Sequence, residues 1–350
     1  MHLEEGRLHE GYRDHLEHKG RCLAAGALLL AAAFVVSLCL GAVAVPPAET
    51  MAALFGFGSD PRWERIIVHI RLPQALAALL AGTGLSLAGA VTQSTLRNAL
   101  ASPFTLGISY AAAFGAAVSI FFLPRGEGTP LFFRLYGTAF FALVTSLAAT
   151  AAVLALSRRR RASPESVVLC GIALGALFTA ATMFLQYFAD DTQLATMVFW
   201  TFGDLARARW PELAVLAAVV AATSLYFFYR RWDFNTLLAG EETARSLGLP
   251  VTRIRLEAMS VACLVTAVVV SLVGVIGFVG LVCPHMARRL TGDDHRFLLP
   301  GSALAGALLL LFSDTAARTL LLPRVLPVSI LTAFLGAPTF IWLLGRREGP

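Results

Sequence analysis

The spacing of its charges constrains this chain most. Nine stretches of 17 to 30 residues carry no Asp, Glu, Lys or Arg: 22–48, 72–96, 98–124, 135–157, 166–189, 213–229, 258–287, 297–313 and 325–345. A helix needs about 20 apolar residues to cross a bilayer, so a series of such runs predicts an all-α, polytopic membrane protein. Composition excludes the alternatives. Only 14% of the residues are charged and 57% are hydrophobic, too much apolar side chain for a soluble core and the opposite of a disordered chain. Five cysteines in 350 residues do not make a disulfide scaffold.

The seventh run is 30 residues long and is punctuated by Gly274, Gly277, Gly280 and Pro284. It reads as one long helix or as two spans joined by a tight turn. Basic residues concentrate on the cytoplasmic side of membrane proteins. With the run split, giving ten spans and both termini inside, 19 basic residues fall inside and 9 outside; unsplit, the division is 16 to 12. Ten spans with both termini cytoplasmic is the expectation. It divides the chain into a cytoplasmic tail, 1–21, and one ten-helix domain, 22–347. The tail carries four histidines, a pattern open to metal binding, but a solvated cytoplasmic lead-in is the simpler reading. The run 192–203 is too short to cross and is expected at the surface.

Several chemistries have no foothold. The cysteines lie singly in apolar runs without a C-x-x-C pair, so a zinc or redox site is not indicated. A phosphate-cradling P-loop requires a lysine, and the single lysine, Lys19, lies in the wrong setting; any ATP-driven work falls to another subunit. An ion-coupled carrier keeps an ionisable group within a span. Here only Asp314 comes near, at the outer end of the ninth, where it either caps a helix or pairs with Arg318 four residues on. His285, near the inner end of the eighth span, reads as a packing residue. Gln93 on the second span either faces a pathway or bonds to a neighbouring helix.

Small residues crowd several spans, as at Ala81-Gly82-Thr83-Gly84, Ala88-Gly89-Ala90 and Gly171 to Gly175, and predict close helix packing. Arg71-Leu72, Ser86 to Val91 and Leu106-Gly107 are echoed 184 or 185 residues later by Arg255-Leu256, Ser271 to Ile276 and Thr291-Gly292. In the ten-span topology that echo is inverted, as in many transporters. The loop 234–255 reads as a short amphipathic helix or helix pair. Glu241 and Glu242 suit a helix N-terminus, Glu241 and Arg245 are spaced i, i+4, and Gly248 before Pro250 is a stop. Leu237, Leu238, Ala244 and Leu247 give it an apolar side suited to a protein partner.

At this point the residues match a known pattern. Arg71-Leu72-Pro73, Gly89-Ala90-Val91-Thr92-Gln93, Arg97 to Pro103, Gly240 to Gly248, Gly277 to His285, Asp293-Asp294-His295-Arg296, Leu299-Pro300 and Leu335 to Phe340 occur in order. From about Cys22 to Arg347 the chain resembles the FecCD-type permease subunits of type II, binding-protein-dependent ABC importers for ferric siderophores, haem and cobalamin. The resemblance implies the type II importer permease fold in the inner (cytoplasmic) membrane. It implies a homodimer with the pathway at its interface, two ATP-binding cassette subunits beneath, a substrate-binding protein outside and surrounding lipid, with no nucleic acid. It implies no enzymatic activity and no cofactor in this chain, ATP and magnesium being used by the partner ATPase.

By resemblance, Gly240, Glu241, Glu242, Ala244, Arg245, Leu247 and Gly248 form the region that couples to the ATPase. Arg71 and Arg318 dock the binding protein through pairs with its glutamates, or anchor helix ends at the headgroups. Gln74 stands where an arginine is frequent. The cytoplasmic gate falls on Asn98, Leu100, Pro164 and Glu165, with Ala99 where the family often has proline, and Gln93 is the pathway candidate. The expected cargo is a metal chelate, a ferric siderophore first and haem or cobalamin next, with molybdate-type oxyanions open. A stand-alone secondary transporter is the alternative, but the spans offer no convincing ion-coupling group. A membrane-embedded enzyme would need a catalytic constellation that the spans do not supply.

Overall fold

The computed structural model describes residues 5–57, 60–123, 129–159 and 164–345, and these form helices without strands. Helix α1 (Glu5–Cys39) begins within the expected tail and runs unbroken into the first apolar run. It stops at Cys39, before Gly41 and the Pro46-Pro47 pair, and α2 (Pro47–Phe55) starts on a proline, which suits a first helical turn. Asp60 caps α3 (Pro61–Ile66), accepting the Arg62 N–H at 2.8 Å. A π-helical turn, Ile67–Arg71, then leads directly into α4 (Leu72–Thr95).

Helix α4 is the hub, buried along nearly its whole length. It is built from Ala, Gly, Ser and Thr because backbones lie against it on several sides. A Cβ on Gly82 would overlap the backbone of Gly306, and one on Gly89 would overlap the Gly280 carbonyl. Small residues allow that approach where no hydrophobic force drives helix against helix.

After α4 the third apolar run departs from expectation. Helix α5 covers only Ile108–Phe122, and residues 97–107 are turns. Pro103 cannot continue a ladder, and Ser102 and Thr105 replace it. The Thr105 hydroxyl accepts from the Ser102 N–H at 2.9 Å and donates to the Ser102 carbonyl at 2.8 Å. Gly107, at φ +86°, starts the helix. Irregular backbone at this depth is tolerated because protein covers it: Ala101, Leu106 and Ile108 are fully buried.

Helices α6 (Leu131–Arg159), α7 (Pro164–Phe188) and α9 (Trp210–Tyr229) occupy the next apolar runs. Between α7 and α9 lies α8 (Asp191–Thr201), held by an Asp190–Gln193 capping box and half exposed, as the short run 192–203 predicts. Next come α10 (Arg231–Leu238) and α11 (Glu241–Ser246).

The seventh run is two helices. Helix α12 (Val251–Val273) stops at Gly274, φ +82°, and α13 (Val279–Thr291) starts at Phe278, φ +67°. The Asp204 N–H satisfies the Val273 carbonyl at 2.7 Å. Helices α14 (His295–Thr319) and α15 (Val328–Gly345) complete the chain. Each of the ten expected spans therefore coincides with a helix. Among the described residues, seven helical segments are long and apolar enough to cross a membrane, and α5 and α15 are shorter apolar helices. The start of α12 meets the end of α4, Arg255 Nε donating to the Thr95 carbonyl at 3.1 Å, so the two echoed helices lie antiparallel, in keeping with an inverted relation. One large apolar core joins α1, α4, α9, α12 and α14.

Candidate functional site

Two clusters of polar side chains close the ends of α4 and α14. At the expected outer end the π turn delivers Arg71 inward, and both Arg71 and Arg318 are buried, 5% and 7% exposed. Arg71 Nη1 donates to the carbonyls of Leu38 at 2.7 Å and Cys39 at 2.9 Å, and Nη2 donates to that of Val43. Its counter-charge is the C-terminus of α1, where carbonyls lack intrahelical partners and the helix dipole is negative. Arg318 pairs with Asp314, Nε to Oδ2 at 2.9 Å, and its Nη2 reaches the Ser37 hydroxyl at 2.9 Å. Gln74 donates to the other Asp314 oxygen at 2.7 Å.

The two arginines expected at the docking surface are both buried against helix ends of this chain. Neither guanidinium is offered to a partner in this structure; both tie α1 to α4 and α14. Asp314, left between a cap and a pair by its sequence, is the partner of Arg318.

At the inner end the loop 234–255 is the predicted helix pair. The i, i+4 contact forms, Arg245 Nη2 to Glu241 Oε1 at 2.6 Å, and the other Glu241 oxygen takes Arg255 at 3.1 Å. Gly248, φ +83°, closes α11 in a Schellman arrangement, with Leu249 N–H on the Ala244 carbonyl at 3.0 Å and Gly248 N–H on that of Arg245 at 2.9 Å. Leu237 and Ala244 pack inward, whereas Glu242 and Leu247 face outward, Leu247 at 67% exposed. The expected apolar side is therefore divided between the core and the surface.

The pair is braced against the bundle. Asn235 donates to Asp294 at 3.0 Å and its carbonyl accepts the His295 backbone N–H at 2.8 Å. The His295 ring spans from Asn235 Oδ1 to Ser94 Oγ, 2.8 Å each. Burial alone would raise the Asp294 carboxyl. Hydrogen bonds from the Arg296 side chain and backbone and from Asn235 outweigh it and bring it down to about 2, so this N-cap of α14 stays ionised at any working pH.

Of the gate candidates, Asn98 accepts the Leu100 N–H at 2.9 Å, an Asx turn that orders the chain without the family's proline. Leu100 is 48% exposed, and Glu165 is exposed at the start of α7. The side chain of Pro164 and all of residues 160–163 lie outside the described residues. Leu96 and Ala101 share an apolar cluster with Val167, so both turns border one region. Gln93 is 2% exposed and its Nε2 donates to the Leu281 carbonyl at 3.2 Å. Of its two readings, the bond to a neighbouring helix is observed. The His285 ring packs edge-on to Phe340, centroids 6.0 Å apart, as a packing residue does.

Sequence reasoning missed Asn235, Ser94 and Gly41. A Cβ on Gly41 would lie 2.7 Å from Arg71 Nη2, so a side chain there would displace that guanidinium. His295 stood within the quoted Asp293 to Arg296 motif without a role.

The model of the FecCD transport family matches residues 29–346. The chain is 50% identical over 326 residues to a protein assigned as an ABC transporter permease in Methanocaldococcus jannaschii, covering 91% of this chain and 93% of that one. It is 39% identical over 290 residues to the hemin transport system permease protein of Yersinia pestis, covering 83% and 86%. A solved inward-facing ABC transporter assigned to the metal-chelate type superposes with a TM-score of 0.82 at 32% identity, covering 93% of this chain and 99% of that one.

Proposed function

The chain belongs to the FecCD transport family, and from that premise we propose that it forms the membrane passage of an importer for a metal chelate, driven by an ATPase that meets α10 and α11. It is a multi-pass membrane protein. The observation that carries the ATPase contact is the inner brace. Asn235, Asp294, His295, Ser94, Arg255 and Glu241 fix the short helix pair to the ends of α4, α12 and α14, while Glu242 and Leu247 point away. A rigid projection with one acid and one leucine exposed can transmit a push into the bundle without deforming.

The cargo is a metal chelate, a ferric siderophore first and haem or cobalamin next, in line with the hemin permease among the relatives. A binding protein delivers it at the outer end, and a second copy of the chain completes the passage. Helix α7 leaves Leu177 at 62%, Phe184 at 65% and Tyr187 at 83% exposed, a face available to that copy or to lipid. The basic-residue count and the helix at each run support ten crossings with both termini inside. The stand-alone carrier is disfavoured because Asp314, its one candidate carboxylate at a span end, is already satisfied by Arg318 and Gln74.

Leu247→Asp combined with Glu242→Arg tests the reading in cells carrying the whole importer. Expected is a loss of at least about tenfold in uptake of radioactive iron presented as hemin or a ferric siderophore, with the chain still folded and at normal levels in the membrane. Unchanged uptake would remove the coupling role. Uptake into liposomes that hold this chain alone, driven by an ion gradient, would overturn the importer reading itself.

A further inference from the structure

The two interruptions in the helical ladder face each other across one cavity. Its volume is about 230 Å³, and Leu85, Ser109, Thr266, Phe278 and Gly280 are among its lining residues. Leu85 lies ten residues before the inner end of α4 at Thr95, which is about 15 Å of helix rise and so near mid-depth in the bilayer. Helices α5 and α13, of 15 and 13 residues, both begin here, and neither has a side-chain cap. The backbone N–H groups of Ile108, Ser109 and Gly280 find no acceptor among the described residues.

A second observation is independent of the helix ends. Ser109 is 2% exposed, lines the cavity, and its Oγ has no hydrogen-bond partner among the described residues. A buried hydroxyl left unsatisfied is costly, whereas Ser102, Thr105 and Thr266 around it are all bonded. No Asp, Glu, Lys, Arg or His lines the space. What the chain presents is a set of unused donors at the positive ends of two half-length helices, walled by apolar side chains. Helix N-termini of that kind favour negative charge, and in transporters they meet anionic parts of a substrate. The cavity lies one layer behind α7 and α15: Gly171 packs on Leu106, and Gly336 on Phe278.

We propose that this cavity binds a carboxylate, and that in the working importer it is a carboxylate arm of the iron chelate in transit. The cavity is too small for a whole chelate and suits one arm. The Ser109 hydroxyl and the Ser109 and Gly280 N–H groups donate to it. The cargo half of the proposal rests on the importer reading; the binding half does not.

The binding half is tested on the purified full chain in detergent, with acetate as the probe and acetamide as its neutral isostere, at constant ionic strength. Acetate is expected to raise the unfolding temperature saturably, and acetamide to leave it unchanged. Ser109→Ala removes an orphan group and should fold normally, with half-saturation by acetate weakened roughly three- to tenfold, the worth of one hydrogen bond to an ion. Ser109→Asp builds a carboxylate into the site and should abolish the response; if that variant does not fold, the alanine variant decides. No saturable acetate effect, or equal effects of acetate and acetamide, overturns the site.

The cargo half uses the whole importer in cells and compares uptake of hemin with that of its dimethyl ester. Preference for the free acid, reduced in Ser109→Ala, is expected. Equal uptake of both would show that the site holds only a free anion and overturn the cargo assignment. If no chelate is taken up even with the unaltered chain, the importer reading fails while the acetate result stands on its own.

Discussion

Arg71 has three carbonyls and no carboxylate, whereas Arg318 has Asp314. The two arginines therefore differ in what sustains them. Removing the carboxylate by Asp314→Asn leaves Arg318 buried with hydroxyl and carbonyl partners only. That should lower the unfolding free energy by about 3 kcal/mol, the order for breaking one side of a buried pair, and it is read as a fall in thermal stability of the detergent-solubilised chain. Stability equal to the parent would show that the Ser37 and Leu40 contacts suffice. At this scale the sequence was legible where partners are close along the chain: the spacings of Asp314 and Arg318 and of Glu241 and Arg245 both became contacts. Arg71 was not legible, because its partners lie about thirty residues away and its fit depends on the missing side chain of Gly41. Gln93 left its two readings open because a polar residue in an apolar helix carries no sign of which neighbour it faces.

Helix interfaces here are set by where side chains are absent. Gly82 against Gly306 and Gly89 against Gly280 bring backbones together on two sides of α4. Gly89→Ala should force α4 and α13 apart and cost about 2 kcal/mol, as overpacking of a tight interface does. Gly20→Ala, where a Cβ meets nothing within 4 Å, is the control and should be neutral or slightly stabilising through helix propensity. Equal thermal stability of both variants would mean the glycine contacts are not limiting. Charge-free runs located every major helix but could not say where a run stops being helical. Residues 97–107 are apolar enough to read as part of a span, and only Pro103 and the exchange between Ser102 and Thr105 interrupt them. The break at 274–278 was legible as a cluster of glycines, of which Gly274 takes a positive φ; the second positive φ falls on Phe278, which no sequence signal marked.

Across the molecule burial is uneven. Most of α4 is enclosed, whereas α7 shows most of its length outside α5, α6 and α8. A second copy covering α7 predicts a two-chain mass by light scattering in mild detergent, and Phe184→Arg should return single chains, since an unpaired charge at a buried contact is strongly unfavourable. Single chains in the unaltered protein would remove the dimer. The basic-residue asymmetry gave an expectation for inside and outside, but the sequence offered none for which faces are lipid-covered, because lipid and protein contacts select the same apolar side chains. Helices α4 and α14 are clasped at the outer end through Gln74 and Asp314, at the inner end through Ser94 and His295, and between them by Gly82 on Gly306. Fastened at three heights, these two helices form a post. Helices α1 and α13 are tied to that post as well, so on the importer reading any swing falls to the helices beyond them, with the unwound segments 97–107 and 274–278 as joints.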